Sequence, residues 1–191
     1  MAFETKATIT TFGAGPCPRL ARYLPRGLNL PGEDDSWDFG SAAGFYVDAK
    51  QEPWTKGYNM ESYVVKELQD LVFSEFKQLD RSRVSITGHS MGGHGALTLY
   101  LKNPGMFKSA FTGYLGEDRE EWKKHDATEL VKGWKGPLNC LIDVGTGDNF
   151  YKQNQLLPEN FEQVVKDTGI QGLETRYQEG YDHSYFYLDL W

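Results

Sequence analysis

Residues 88–92, with the sequence GHSMG, place one serine between two glycines in a G-x-S-x-G pattern. The alternating β-branched residues Val84–Thr87 before it favour a strand, and the apolar spacing after it favours a helix. A tight strand-to-helix turn of this kind, a nucleophile elbow, exposes a serine hydroxyl, and its glycines avoid a collision between Cβ and the neighbouring elements. The pattern predicts Ser90 as a nucleophile. It also predicts that the backbone N–H of Met91, at the start of the helix, donates to a developing oxyanion.

A serine hydroxyl is a weak nucleophile near neutral pH, so it needs a base, which is usually a histidine. The chain has four histidines. His183 lies in the loop EGYDHSY, directly after the predicted strand 173–178, where an open α/β sheet places functional groups. We therefore predict His183 as the base. The other three have other interpretations. His89 lies on the elbow itself and cannot easily face the hydroxyl, His94 packs or caps, and His125 lies at the surface.

The base needs a carboxylate that orients it, and in this fold class the chain order is serine, acid, histidine. Asp148 is predicted as that acid because it lies in the loop GTGD, just after the apolar run 138–144 and between Ser90 and His183. Asp143 is within the run and would point across a strand, and Asp182 is adjacent to His183 and cannot readily reach its Nδ1. The alternative interpretation of Asp148 is the N-cap of the next helix.

The pattern of apolar residues predicts the elements that must position these side chains. We expect no clear element in residues 1–24, an ordered aromatic-rich loop over 25–57, and a turn over 80–83 before the strand of the elbow. The strand Leu138–Val144 is expected to be buried on both faces. The alternation of strands and helices indicates an α/β fold with a largely parallel sheet. The expected helices and strands are Glu61–Leu79, Val84–Thr87, a helix from the elbow to Asn103, Leu138–Val144, a helix from Pro158, and Leu173–Gln178.

Length and composition exclude several classes of protein. A chain of 191 residues fits one domain with a core, and its net charge of -7, without a cluster of Lys and Arg, argues against a nucleic-acid partner. Cys17 and Cys140 have no metal-ligand spacing, so no metal or cofactor is predicted. The N-terminus has no apolar leader and no run approaches membrane-spanning length. We therefore expect a cytoplasmic protein without a membrane partner.

Longer stretches carry a resemblance to a known family. GEDDSWDFGSAAGFYVDA, GHSMGGHGAL, KNPGMFKS, GYLGEDREEW, QLLPENF and QEGYDHSY together resemble the S-formylglutathione hydrolases, also called the esterase D family, from about Pro25 to about Tyr187. The resemblance implies an α/β-hydrolase fold. It also implies cytoplasmic hydrolysis of S-formylglutathione to glutathione and formate in formaldehyde detoxification, often by a homodimer. The family's nucleophile, acid and base fall on Ser90, Asp148 and His183.

The chain departs from the family pattern in three places. Residues 1–24 do not resemble the family's N-terminal part, which carries early strands and a second oxyanion donor. Ser109-Ala110 runs directly into Phe111-Thr112, where the family has a strand and a Pro-rich loop, and the chain stops at Trp191 before a closing helix. We therefore expect a divergent segment 1–24 followed by a partial α/β-hydrolase domain 25–191.

A few further residues are candidates for binding the substrate. Trp37, Phe39 and Phe45 are candidates for lining an acyl pocket, with core aromatics as the alternative interpretation, and Arg26 or Lys56 could bind the anionic glutathione. Two other functions stay open at this point. One is a general carboxylesterase acting on small acyl esters with the same three residues. The other is an inactive, truncated member of the family, because one oxyanion donor has no counterpart in the chain.

Overall fold

The computed structural model describes residues 7–13, 16–21, 28–36, 39–40, 45–104 and 123–184. Contacts along the chain divide it into two compact units, Met1–Ala127 and Thr128–Trp191. Within the described ranges, no helix combines the length and apolar character needed to cross a membrane.

The first unit contains a three-stranded antiparallel sheet. Its strands are β1 (Ala7–Gly13), β2 (Pro16–Ala21) and β3 (Leu79–Gly88), in the order β2-β1-β3. The expectation that residues 1–24 form no element was therefore wrong, and this sheet is not parallel. The prolines at 16 and 18 are compatible with a strand because β2 lies at the edge of this sheet, where a missing N–H need not break a ladder.

The long helix of the first unit, α1, is shorter than its apolar spacing predicted. It begins with a turn at Met60–Ser62, continues as a π-helical turn at Tyr63–Glu67 and ends with Leu68–Glu75. Leu79, the predicted end of the helix, instead pairs with Gly13 as the first residue of β3. The predicted turn at 80–83 is part of the same strand, and it lies at a register shift of the ladder, between the pairs Leu79–Gly13 and Val84–Thr11.

The helix that follows the elbow, α2 (Met91–Lys102), packs on β3 and α1 and forms the main core of this unit. Val84 and Ile86 of β3 point toward that core while Ser85 and Thr87 are exposed, which is the alternation expected for a strand with one covered face. The buried residues of the cluster are Tyr46, Met60, Val64 and Leu99.

The loop before α1 is anchored by a second apolar cluster. Val47, Ala49 and Tyr58 are buried in it, and Leu28, Leu30, Phe39, Phe45 and Trp54 pack around them. A carboxylate supports the same loop: buried Glu33 accepts hydrogen bonds from the backbone N–H of Leu30 and from the Tyr58 hydroxyl, at 2.9 and 2.8 Å. The predicted ordered loop is therefore confirmed over its described part.

A partly buried ion-pair network joins three segments of the first unit. Lys102, at the end of α2, donates to Glu61 of α1, and its Nζ lies 2.9 Å from Nδ1 of His125. Burial lowers the pKa of Lys102, against the opposing effect of the Glu61 carboxylate. His125 was expected at the surface but is buried, because its ring nitrogen serves this network. The charged neighbours of His125 in the sequence hid that role.

The second unit contains a parallel pair of strands joined by a crossover helix. Its elements are α3 (Ala127–Val131, beginning at the unit boundary), β4 (Cys140–Gly145), α4 (Asn149–Lys152), α5 (Pro158–Asp167) and β5 (Leu173–Gln178). The register pairs Cys140 with Leu173 and Gly145 with Gln178, so both strands end at the same level. The parallel prediction is confirmed for this pair. The expectation that β4 is buried on both faces was wrong, because Leu141 is about half exposed, at 52%.

Removal of the Leu99 side chain tests the core of the first unit. We expect Leu99→Ala to lower the free energy of unfolding by about 2–5 kcal/mol, because Leu99 is fully buried and its loss leaves a cavity. Leu71→Ala removes the same atoms from an exposed position on α1 and should change stability by less than about 0.5 kcal/mol. Urea unfolding followed by tryptophan fluorescence measures both values. Equal effects of the two substitutions would contradict this description of the core.

Candidate active site

The elbow has the strained backbone that the sequence predicted. Ser90 has φ 54° and ψ -124°, a combination that residues with a Cβ rarely adopt. The turn is closed by the N–H of Gly92, which donates to the carbonyl of His89 at 2.8 Å. A Cβ on Gly88 would lie 2.0 Å from the carbonyl oxygen of Gly92, so only glycine fits there.

The helix start supplies a donor next to the serine. Met91 is the first residue of α2, a position whose N–H has no acceptor within the helix. The carbonyl of Ser90 accepts the N–H of His94 at 3.0 Å, which fixes the serine at the head of the helix. The partial positive charge of a helix N-terminus favours a negative oxygen at this point. The local structure is thus suited to an oxyanion near Met91.

Asp148 is both an N-cap and the partner of a histidine. One carboxylate oxygen, Oδ1, accepts the backbone N–H of Phe150 at 2.7 Å, which caps the short helix α4. The other oxygen, Oδ2, lies 2.5 Å from Nδ1 of His183. The carboxylate is buried, while the imidazole is partly exposed. Each role uses a different oxygen: the N-cap interpretation of Asp148 is confirmed, and the contact with His183 is the one that its predicted role as the acid requires.

The contact with Asp148 decides which tautomer of His183 is present. With the proton held on Nδ1 by the carboxylate, a neutral imidazole carries its lone pair on Nε2. That nitrogen can accept a proton from a hydroxyl group. The arrangement is that of an oriented general base.

Backbone hydrogen bonds hold the two loops of this pair together. The N–H groups of Thr146 and Gly147 donate to the carbonyls of Gln178 and Tyr181, at 3.0 and 2.9 Å. In return, the N–H of Gly180 donates to the Thr146 hydroxyl at 3.0 Å. The approach is so close that a Cβ on Gly147 would lie 2.6 Å from the carbonyl oxygen of Gly180. The glycines of GTGD are therefore what allow the acid and the histidine to meet.

The two rejected carboxylates have other partners. Asp143 accepts hydrogen bonds from Arg176 and Gln178 on the neighbouring strand, the Arg176 Nε contact measuring 2.9 Å. Desolvation raises the pKa of Asp143, but the hydrogen bonds and charge of Arg176 outweigh it, so the net shift of the pKa is downward. Hydrogen bonds from the side chain and from the backbone N–H of Ser184 lower the pKa of Asp182, and the N–H contact, at 2.8 Å, closes the turn that carries His183.

The remaining sequence candidates occupy separate positions. Phe39 packs edge-on against Trp54, at 4.6 Å between ring centroids, and Phe45 belongs to the same cluster, so their assignment to an acyl pocket stays a prediction. Lys56 is exposed. Trp37 and Arg26 lie outside the described residues. In the ranges the structure describes, no group of three or more His, Cys, Asp or Glu side chains could hold a metal ion.

The structure brings two of the three predicted catalytic residues together, Asp148 and His183. Ser90 belongs to the first unit and the other two to the second, and the contact between Ser90 and His183 stays a prediction. The sequence reasoning missed Thr146 and Phe150, which support the pair. Their signal was weak: a threonine between two glycines and an aromatic residue two positions after the acid.

A serine on a strand-to-helix elbow, followed later in the chain by an acid and a histidine on loops after strands, is the pattern typical of the α/β-hydrolase class. Comparison with known proteins gives the family. Residues 22–188 match the family model described as "Esterase: Putative esterase", and the chain belongs to this family.

The chain is similar to proteins that are named S-formylglutathione hydrolase. It is 50% identical to a bovine (Bos taurus) S-formylglutathione hydrolase over 183 residues, covering 86% of this chain and 64% of that protein. It is 46% identical to one from Arabidopsis thaliana, covering 86% of this chain and 63% of that protein. The solved structure of an S-formylglutathione hydrolase from Agrobacterium tumefaciens is 42% identical, with a TM-score of 0.78 over 92% of this chain and 68% of that one. The resemblance found in the sequence is confirmed, and so is the fold.

The chain spans less than two thirds of the length of the curated relatives that it matches. The match covers the elbow, the acid and the histidine together, since residues 22–188 contain all three.

Acid should destabilise the chain through His94. Burial lowers the pKa of His94 from its usual value to about 3. Below about pH 6.5 the unfolded state therefore binds a proton at this histidine, whereas the folded state does not. Stability therefore falls as the pH falls, by about 2 kcal/mol between pH 7.5 and 5.0 for this group alone. We expect His94→Gln to flatten the pH dependence by that amount in urea unfolding. Identical pH dependence in both proteins would show that His94 is readily protonated in the fold.

Proposed function

We propose that this chain is a serine thioesterase that hydrolyses S-formylglutathione to glutathione and formate, with Ser90 as nucleophile, His183 as base and Asp148 as the residue that orients the base. The observation that carries the reaction class is the hydrogen bond between Nδ1 of His183 and Oδ2 of Asp148, at 2.5 Å, in a chain with a strained serine elbow. The assignment of the substrate is supported by relatives that are 46–50% identical and are named S-formylglutathione hydrolase.

The first half of the reaction forms an acyl-enzyme. The Ser90 hydroxyl attacks the formyl carbonyl carbon while Nε2 of His183 takes its proton. The carbonyl oxygen becomes negative, and the N–H of Met91 donates to it. Asp148 keeps the Nδ1 proton in place and stabilises the imidazolium that forms. The proposal requires that Ser90 and His183 come within hydrogen-bond reach.

The second half releases both products. The C–S bond breaks and glutathione leaves as a thiolate, whose conjugate acid has a pKa near ~8.5, so it needs little help from an acid. The His183 imidazolium gives its proton to the departing thiolate, which restores Nε2 as a base. A water molecule then gives a proton to Nε2 and attacks the formyl-Ser90 ester, and the imidazolium returns that proton to the Ser90 oxygen as formate leaves. A thioester is therefore an easier substrate than an amide for this set of residues.

Selectivity for a formyl group would come from a small acyl pocket, because larger acyl chains are excluded by size. Phe39 and Phe45 are proposed to contribute to it, together with Trp37. The anionic glutathione is proposed to bind near Lys56 or Arg26. The packing of Phe39 and Phe45 around Val47 and Tyr58 would give such a wall rigidity.

The cellular setting is proposed from the family resemblance. It comprises a cytoplasmic location, a possible homodimer, and a small-molecule substrate as the partner. The division into a divergent segment 1–24 and a hydrolase domain 25–191 is also proposed, supported by a family match that begins at residue 22.

Substrate comparison separates the thioesterase from a general carboxylesterase. We expect kcat/KM for S-formylglutathione to exceed that for an aryl acetate by about 10- to 200-fold, since this is the cost of one extra methyl group in a tight acyl pocket. A fluorophosphonate probe should label the wild type and not Ser90→Ala, because labelling requires an activated serine. A higher kcat/KM on the acetate would favour the carboxylesterase, and absence of labelling would favour an inactive family member.

Two aspartates on the same strand and its loop provide a matched test of the acid. Asp148→Asn should lower kcat by about 10⁴-fold, because an amide in this place holds the wrong tautomer of His183. Asp143→Asn makes the same change five residues earlier, where the carboxylate pairs with Arg176, and should leave kcat within about twofold. Steady-state hydrolysis of S-formylglutathione measures both. A comparable loss in the two variants would remove Asp148 from the mechanism.

A further inference from the structure

Phe150 touches both members of the acid–histidine pair. Its backbone N–H donates to Oδ1 of Asp148 at 2.7 Å. Its ring lies against the imidazole of His183, with centroids 4.6 Å apart and ring planes at 57°. Phe150 therefore contacts the acid through its backbone and the histidine through its side chain.

The backbone of Phe150 is held from both directions. Its N–H is the one that the N-cap oxygen of Asp148 accepts. Its carbonyl accepts the N–H groups of Gln155 and Leu156, at 2.8 and 3.3 Å. The Cα of Phe150 is therefore fixed relative to the carboxylate, and the direction in which its ring leaves the turn is fixed as well.

The imidazole needs a second contact to have one orientation. The hydrogen bond from Nδ1 to Asp148 sets a direction, but the ring can still turn about that bond. A ring at 4.6 Å, within the range of aromatic pairs, opposes this rotation, and a ring packed beside the imidazole would also limit the access of water to it. His183 is partly exposed, so such cover has an effect.

We propose that Phe150 is a positioning residue: its ring fixes the plane of the His183 imidazole, and thereby the direction of Nε2, while its N–H holds the carboxylate of Asp148. This inference rests on the proposed function for its kinetic consequence but not for its geometry. It assigns to the position two residues after the acid a role in the rate of proton transfer.

The alternative is that Phe150 only fills apolar space beside α4. The adjacent Tyr151 provides a matched control for this. Its ring is also on α4, but its hydroxyl donates to Glu159 and its ring faces Tyr177, at 6.2 Å between centroids. It is therefore an aromatic residue of the same turn that contacts Glu159 and Tyr177.

The test compares four variants: Phe150→Ala, Phe150→Leu, Phe150→Tyr and Tyr151→Ala. All keep the backbone N–H at position 150, so only the side chain is tested. We expect Phe150→Ala to lower kcat by about 10- to 100-fold with KM changed less than about threefold, because the base is misdirected while substrate binding is unaffected. Phe150→Leu keeps apolar volume and should lose most of the same activity. Phe150→Tyr should restore kcat to within about threefold of wild type, and Tyr151→Ala should keep it within about twofold.

A spectroscopic measurement tests the geometry without any catalysis. The proton between His183 and Asp148 should give a low-field ¹H NMR signal that is absent in His183→Gln. We expect the signal to broaden or vanish in Phe150→Ala, where water reaches the bond, and to persist in Tyr151→Ala. If the wild type shows this signal but neither hydrolyses the thioester nor labels with a fluorophosphonate, the proposed function fails while the positioning role is still judged by the NMR signal.

Two results would overturn the inference. One is an unchanged low-field signal together with wild-type kcat in Phe150→Ala and Phe150→Leu. The other is an equal loss of kcat and melting temperature in Phe150→Ala and Tyr151→Ala, which is the signature of general destabilisation of α4.

Discussion

The carboxylate of Asp148 accepts hydrogen bonds in two directions, and the geometry around the second half of the site depends on this division. One oxygen caps the turn that follows β4, and the other holds the imidazole that follows β5. A side chain with a single acceptor could do only one of these. The division is possible because the strands are parallel and end at the same level, and because Gly147 lets the two loops approach. The N-cap is thus part of the site, since it orients the oxygen that meets His183.

The parts of this site that a sequence reveals are those determined by nearby residues. The elbow has a local cause: glycines on either side of Ser90, a β-branched run before it and an apolar helix after it. Asp148 and His183 could be chosen because each follows a strand, and the ends of parallel strands converge. The crossover helix begins at Pro158, as the preference of proline for a first helical position indicates. The elbow and the start of the crossover helix depend on interactions that span only a few residues, whereas the acid and the histidine could be chosen from the general rule for strand ends.

The parts that could not be predicted depend on partners distant in the sequence. β1 and β2 were missed because their prolines and glycines were read as breaks, whereas pairing with β3, about seventy residues later, stabilises β1. The same pairing shortened α1, since Leu79 and Asp80 follow the sheet instead of the helix. His125 looked like a surface residue among charged neighbours, whereas its ring is buried in contact with Lys102, twenty-three positions earlier in the chain. The role of Phe150 likewise depends on a residue thirty-three positions away.

The register of the parallel pair has a consequence for how mutations in this chain would be tolerated. Sliding β4 past β5 by one residue moves its end by about 3.3 Å and turns every side chain to the opposite side. A contact between Nδ1 and a carboxylate oxygen survives only a few tenths of an ångström of such movement. The contact between the acid and the histidine therefore depends on the register of the two strands. Insertions or deletions within Cys140–Gly145 or Leu173–Gln178 would shift the register and separate the pair. Length changes in the crossover between the strands would leave the register unchanged.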